Sequence, residues 1–163
     1  MWTIITTGGL STMTMTPKYS ALDIANYFLF KAQEENQELL SNLKLQKLVY
    51  YAQGMHLVVY DGQPLFEDVI EAWNYGPVVP ALYHLYKEYG AGGIPADPDF
   101  NPASIDRETL DFLDEIYQAF GQFSALRLME IAHNDKCWKE AGVGNEITFS
   151  SMQKCLKRYL KNG

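Results

Sequence analysis

The sequence predicts a mainly helical, single-domain protein of about six helices, with a small β-hairpin or extended element after the second. Three observations carry this reading. Residues 41–60, SNLKLQKLVYYAQGMHLVVY, place Leu45, Leu48, Val49, Ala52, Met55 and Val59 at helical spacing, and Tyr50, Tyr51, Leu57 and Val58 widen that stripe. A helix apolar nearly all round is a central helix, covered by other elements. Helix boundary residues recur along the chain, with Ser20 and Ser124 as starts and Gly121 as a stop. A chain of 163 residues, 47% of them hydrophobic, is long enough for one real core.

The elements follow in order. Residues 1–17 lack a positively charged n-region and begin with only four apolar residues, which is not a secretory leader. They are expected to form a flexible tail, with Met13 and Met15 as alternative starts, before a domain spanning residues 18–163. Ser20 and Asp23 have the spacing of a capping-box variant and open a first helix that runs to about Gln33. The polar run at residues 34–38 links it to the central helix, which Ser41 or Asn42 can cap. Gln46 and Gln53, seven residues apart, share one face of that helix, and each amide needs partners if buried.

Asp61-Gly62 is a turn signal, and residues 64–66 and 69–73 read as a short strand pair closed by Gly76-Pro77. A third helix starts between residues 78 and 80, with Leu82, Leu85, Tyr86 and Tyr89 as its inner stripe. Residues 90–102 form a loop by composition, within one domain. The fourth helix, residues 106–120, turns Phe112, Leu113, Ile116, Tyr117 and Phe120 inward and Glu108, Asp111, Asp114 and Glu115 outward, with no balancing cation on that face. Ser124 caps a fifth helix. Ser150 or Ser151 caps the last, whose basic residues Lys154, Lys157, Arg158 and Lys161 lie toward its C-terminus.

A formal net charge of −7 gains nothing from neutralising phosphates, so direct nucleic-acid binding is disfavoured and a basic protein partner is favoured. Cys137 and Cys155 are too few for a disulfide scaffold and form no CxxC pair, which points to a reducing cytoplasm. No apolar run reaches bilayer-spanning length. No phosphate-cradling glycine loop occurs. Of the histidines, His56 reads as a satisfied core residue and His84 as solvated. His133 with Cys137 four residues on, and Cys155, raises the alternatives of a small hydrolase or an open zinc site. Neither an oxyanion-forming turn nor a familiar ligand spacing accompanies them. The expectation is therefore no catalytic site, no metal and no cofactor, with His133 bonding a helix end and Trp138 packed in the core.

Three motifs add a resemblance. LKLQKLVYYAQGMHL (residues 43–57), EAWNYGPVVPALY (71–83) and HNDKCW (133–138) resemble the Panacea antitoxin domain, the SocA-like, phage-associated GepA family. The likeness runs from about residue 22 to residue 138. It implies a mainly helical, non-enzymatic antitoxin that neutralises a toxin, encoded by the adjacent gene, through direct protein binding. One branch of the family resembles a proteolytic adaptor delivering its toxin to a Clp-type protease. The family pattern falls on Leu45, Gln46, Lys47, Leu48, Tyr51, Ala52, Gln53 and Gly54. It continues on Ala72, Trp73, Gly76, Pro77 and Val78, and on His133 and Trp138. These positions read as fold-specifying, with Trp73 and Trp138 as core anchors. Met55 stands where the family often has Trp, and Cys137 where it often has Pro. The expected toxin-binding surface combines Tyr83, His84 and Lys87 with the acidic face of Glu108, Asp111, Asp114 and Glu115.

Overall fold

The computed structural model describes residues 16–35 and 38–160, so the expected tail, apart from Thr16 and Pro17, and Lys161 lie outside the described residues. Helix α2 (Asn42–Val59) is the centre of the fold, and every residue from Leu45 to Met55 in it is buried. Ser41 caps it, its Oγ accepting from the Lys44 amide at 3.2 Å. Around α2 pack α1 (Ala21–Glu34), α4 (Arg107–Phe120), α5 (Ala125–His133) and α7 (Phe149–Leu156). The predicted capping box opens α1, Ser20 and Asp23 satisfying each other's backbone amides. Gly54 lets α7 come close, because a Cβ there would stand 2.0 Å from Leu156 Cδ1. Tyr51 of α2 stacks flat on Phe120 of α4 at 4.1 Å, with Tyr159 edge-on to both.

The hairpin is real but its strands are shifted from the predicted ones. β1 (Glu71–Trp73) pairs antiparallel with β2 (Gly76–Val78), Trp73 opposite Gly76 and Ala72 opposite Pro77. Asn74 and Tyr75 make the turn, and Gly76-Pro77 belongs to the second strand instead of ending the element. Residues 64–66 form no strand. Their backbone is held by the Gln53 amide, whose Oε1 accepts from Leu65 N at 2.7 Å and whose Nε2 donates to Phe66 O at 2.6 Å. A side chain does there what a neighbouring strand would do, which hydrophobic alternation cannot reveal. The other edge of β1 is covered by residues 144–147, through Ala72 N to Asn145 O at 2.8 Å and Ile147 N to Ile70 O at 2.8 Å.

α3 (Pro80–Tyr86) buries Leu82 and Tyr86, but Leu85 and Tyr89 of the predicted inner stripe are exposed. The helix ends at Tyr86 and tightens into a 3₁₀ turn, Lys87–Tyr89, which breaks the helical phase assumed for Tyr89. Seven α-helices appear among the described residues, the addition being α6 (Lys136–Ala141), too short for periodicity to mark. Thr148, not Ser150 or Ser151, caps α7, its Oγ1 accepting from Ser151 N at 3.1 Å. No helix among the described residues is long and apolar enough to cross a membrane.

Candidate partner-binding groove

The polar residues of α2 position the site. Gln46 Nε2 donates to Asn42 Oδ1 at 3.0 Å, and its Oε1 accepts from the Val79 amide at 2.8 Å. Lys47 Nζ donates to Pro77 O at 3.1 Å. Together with Gln53, these three side chains pin the whole excursion between α2 and α3 to the central helix. They explain why a buried helix carries amides and a lysine: each bonds backbone groups of the loop and hairpin that run over it. Lys47 is fully buried, and burial pushes its ammonium down to about 7.

The pinned hairpin, α3 and the turn after α6 enclose an open groove of about 690 Å³. Trp73 forms one wall, its ring packed edge-on to Tyr83 at 5.0 Å and its Nε1 donating to Glu71 Oε1 at 2.9 Å. Tyr75 and Val143 stand on the rim, 68% and 58% exposed. Gln46 lies at the floor with the buried Lys47 beneath it, and Lys87 lies at the side. Exposed aromatic side chains gathered around a concave, mostly apolar surface mark a protein-binding site more often than plain solvated surface.

The residues expected to bind a partner are divided by the structure. Tyr83 and Lys87 line the groove, and His84 lies exposed beside it, its ring 6.4 Å from that of Trp73. The acidic face lies elsewhere, on α4, and is less bare than the sequence suggested. Asp111 pairs with Arg107 at 3.3 Å, and Asp114 with Lys31 at 3.3 Å while also accepting from the Tyr27 hydroxyl. Glu108 accepts from the Tyr60 hydroxyl at 3.1 Å. Sequence spacing missed Lys31 because it reaches Asp114 from α1, and Arg107 because it stands at the first position of α4.

His133 and Cys137 are not assembled as a nucleophile pair. His133 Nε2 donates to Asn74 O at 2.9 Å, bonding the hairpin turn and not a helix end, and its ring lies 4.4 Å from that of Trp138. Cys137 is fully buried and bonded to Cys155, so neither of the two expected free thiols is present. The packing of α6 against α7 brings their Cα atoms to 5.8 Å, a contact between helices that the sequence does not announce. Among the described residues no group of three His, Cys, Asp or Glu side chains could hold a metal ion. Trp73 and Trp138 are both half-buried: Trp138 packs against the edge of the core, whereas Trp73 lines the groove. Trp138 Nε1 donates to Trp73 O at 2.9 Å, so Trp138 and His133 together hold the hairpin end from its flank. His56 is the satisfied histidine expected, its Nδ1 donating to Gln63 O at 2.6 Å and burial pushing it down to about 4.

The residue that sequence reasoning passed over is Asp135. It is fully buried at the start of α6, and its carboxylate accepts four hydrogen bonds. Tyr50 and Tyr51 donate to Oδ2 at 2.9 and 2.8 Å, and Tyr159 and Arg158 to Oδ1, each at 2.8 Å. Burial raises the carboxyl above its ordinary value, against the pull of the three tyrosines and the Arg158 charge. The cluster ties α2, α6 and the C-terminal turn together.

Antitoxin SocA of Caulobacter vibrioides (strain NA1000 / CB15N) is 43% identical over 67 residues, which cover 41% of this chain and 35% of SocA, so the match spans only about a third of that relative's length. No solved structure matches the chain. The family described as "Antitoxin SocA-like, Panacea domain" matches residues 45–139, from the heart of α2 through the hairpin and groove to α6, and the chain belongs to that family.

Proposed function

We propose that this protein is the antitoxin of a toxin–antitoxin pair and neutralises its toxin by direct, stoichiometric binding in the groove between the hairpin and α3. The antitoxin role is supported by the family and by the likeness to antitoxin SocA. The observation that carries the binding mode is the groove itself, a concave apolar surface rimmed by Tyr75, Tyr83 and Val143 and set on a rigidly pinned hairpin. Occlusion needs a preformed surface, because an interface held rigid before contact loses less entropy on association. The reading takes the toxin to be the product of the adjacent gene, met in the cytoplasm. Expressing that gene in a host with and without this chain tests it. Toxicity relieved by the chain, with a co-purifying complex and an undiminished toxin level, is the expected result. Relief accompanied by loss of the toxin would instead mean delivery to a protease, and a harmless neighbour or unrelieved toxicity would remove the reading.

A further inference from the structure

The groove is charged oppositely to the rest of the molecule. The protein carries a formal net charge of −7, yet the side chains lining the groove include two lysines, Lys47 and Lys87, and no aspartate or glutamate. Glu71, beside the wall, has a carboxylate oxygen engaged by the Trp73 indole at 2.9 Å. Lys47 is the unusual member. An ammonium can donate three hydrogen bonds, and the described residues give this one a single acceptor, the Pro77 carbonyl. Among the described residues it has no carboxylate within ion-pair distance, although burying an ammonium without a counter-charge is unfavourable.

We propose that the groove recognises a carboxylate carried among apolar side chains on a segment of the partner protein, with Lys47 beneath the floor and Lys87 at the side as its counter-charges. The Trp73–Tyr83 wall takes the apolar part of that segment. The carboxylate supplies the charge that Lys47 lacks in the free protein, and in a site of low dielectric this attraction is stronger than on open surface. The identity of the partner as a toxin rests on the function proposed above, but the ligand chemistry does not. An uncharged or basic segment of the same shape would leave Lys47 unpaired and bring no compensation, so the pair discriminates as well as binds.

The test uses the whole protein and two small probes, 3-phenylpropionate and its amide, 3-phenylpropanamide, which share an apolar body and differ in charge. Binding is followed by the Trp73 indole cross-peak in ¹H–¹⁵N spectra. The expected result at pH 6, where Lys47 is protonated, is shifts confined to groove residues, with the carboxylate bound at least about tenfold more tightly than the amide. Lys47→Met, which keeps the buried stem and removes the charge, should bring that preference below about twofold. Lys87→Met should reduce the preference less, because its side chain is exposed and solvent-screened. Equal binding of the two probes to the wild-type protein overturns the proposal, as does a preference that survives in folded Lys47→Met or an absence of any groove shift. If the adjacent-gene experiment fails and the carboxylate preference holds, the groove chemistry stands and only its partner's identity is lost.

Discussion

A Cβ on Gly76 would lie 2.7 Å from Cε of Lys47. Gly76 also has φ +104°, a conformation that side chains rarely adopt. The hairpin glycine and the buried lysine therefore fix each other: the absent side chain is what gives the lysine stem its channel to Pro77. Gly76→Ala should lower stability by about 1–3 kcal/mol through backbone strain alone, and more if the stem is displaced. Equilibrium urea unfolding measures the loss. Combined with Lys47→Met, whose thioether stem can bend away, part of the loss should be recovered. Strict additivity in that double-mutant cycle would show that the two residues do not share the space.

The same lysine predicts a pH dependence. In the unfolded chain it titrates near its ordinary 10.5, and burial in the folded protein pushes it down to about 7. Above pH 10.5 both states are neutral and Lys47 is without effect. Between 10.5 and about 7 the unfolded state holds the extra proton, so lowering the pH removes stability, by up to about 1.4 kcal/mol per pH unit. Below about 7 both states are charged and the effect levels off. The stability of Lys47→Met relative to wild type should therefore rise steadily as the pH falls from 10 to 7. Subtracting the two curves cancels the titration of buried tyrosines, which both proteins share. A flat difference would mean that Lys47 keeps its proton throughout.

Much of this fold was legible because it repeats local rules. The apolar circumference of α2, the Ser20–Asp23 capping box and the Ser124 cap are readable from a few residues each, and all stand where expected. The hairpin register was not legible. It is decided by side chains twelve to thirty-three residues away, Gln53 on Leu65 and Phe66, Lys47 on Pro77 and Gln46 on Val79, and such pairings leave no local period. The groove was half legible: Tyr83, His84 and Lys87 were singled out on exposure, but Tyr75, Trp73 and Val143 join them only through the fold. Asp135 was passed over because a charged residue after a helix end looks solvated until tyrosines from α2 and the C-terminal turn close over it.

Asp135 should prove the most sensitive polar residue in the core. Asp135→Ala would remove the acceptor that the hydroxyls of Tyr50, Tyr51 and Tyr159 share, and the ion-pair partner of Arg158. Each buried hydroxyl that loses an acceptor costs about 1–3 kcal/mol, a large share of a small domain's stability in sum, whereas the half-exposed Arg158 can turn to water. Asp135→Asn keeps one acceptor oxygen and should lose less. Circular dichroism during urea unfolding ranks the three proteins, and an alanine variant as stable as wild type would show the cluster to be dispensable.

The Cys137–Cys155 bond joins residues 18 apart, across α6 and α7. Closing a loop of that size restricts the unfolded chain and stabilises the fold by about 3 kcal/mol. Adding dithiothreitol during urea unfolding should therefore lower the midpoint, and the Cys137→Ala/Cys155→Ala protein should show the lower midpoint whether or not reductant is present. A midpoint in the intact protein that ignores the reductant would mean the two thiols are not bonded in solution.

The groove and the acidic face of α4 make opposite predictions for neutralisation. Tyr75 and Tyr83 are exposed aromatics whose removal leaves the core untouched, since neither belongs to the buried set. Aromatic residues at the centre of an interface commonly contribute more than 1 kcal/mol each, so the Tyr75→Ala/Tyr83→Ala protein should bind its toxin at least about tenfold more weakly with unchanged thermal unfolding. Asp111 already neutralises Arg107, and reversing it together with Glu115 disturbs a surface whose charges are partly compensated within the molecule. The Asp111→Lys/Glu115→Lys protein should therefore retain neutralisation in the growth assay, within about threefold in affinity, as expected for screened surface charges. The reverse pattern, intact binding without the tyrosines and failure with reversed charges, would move the docking surface from the groove to α4.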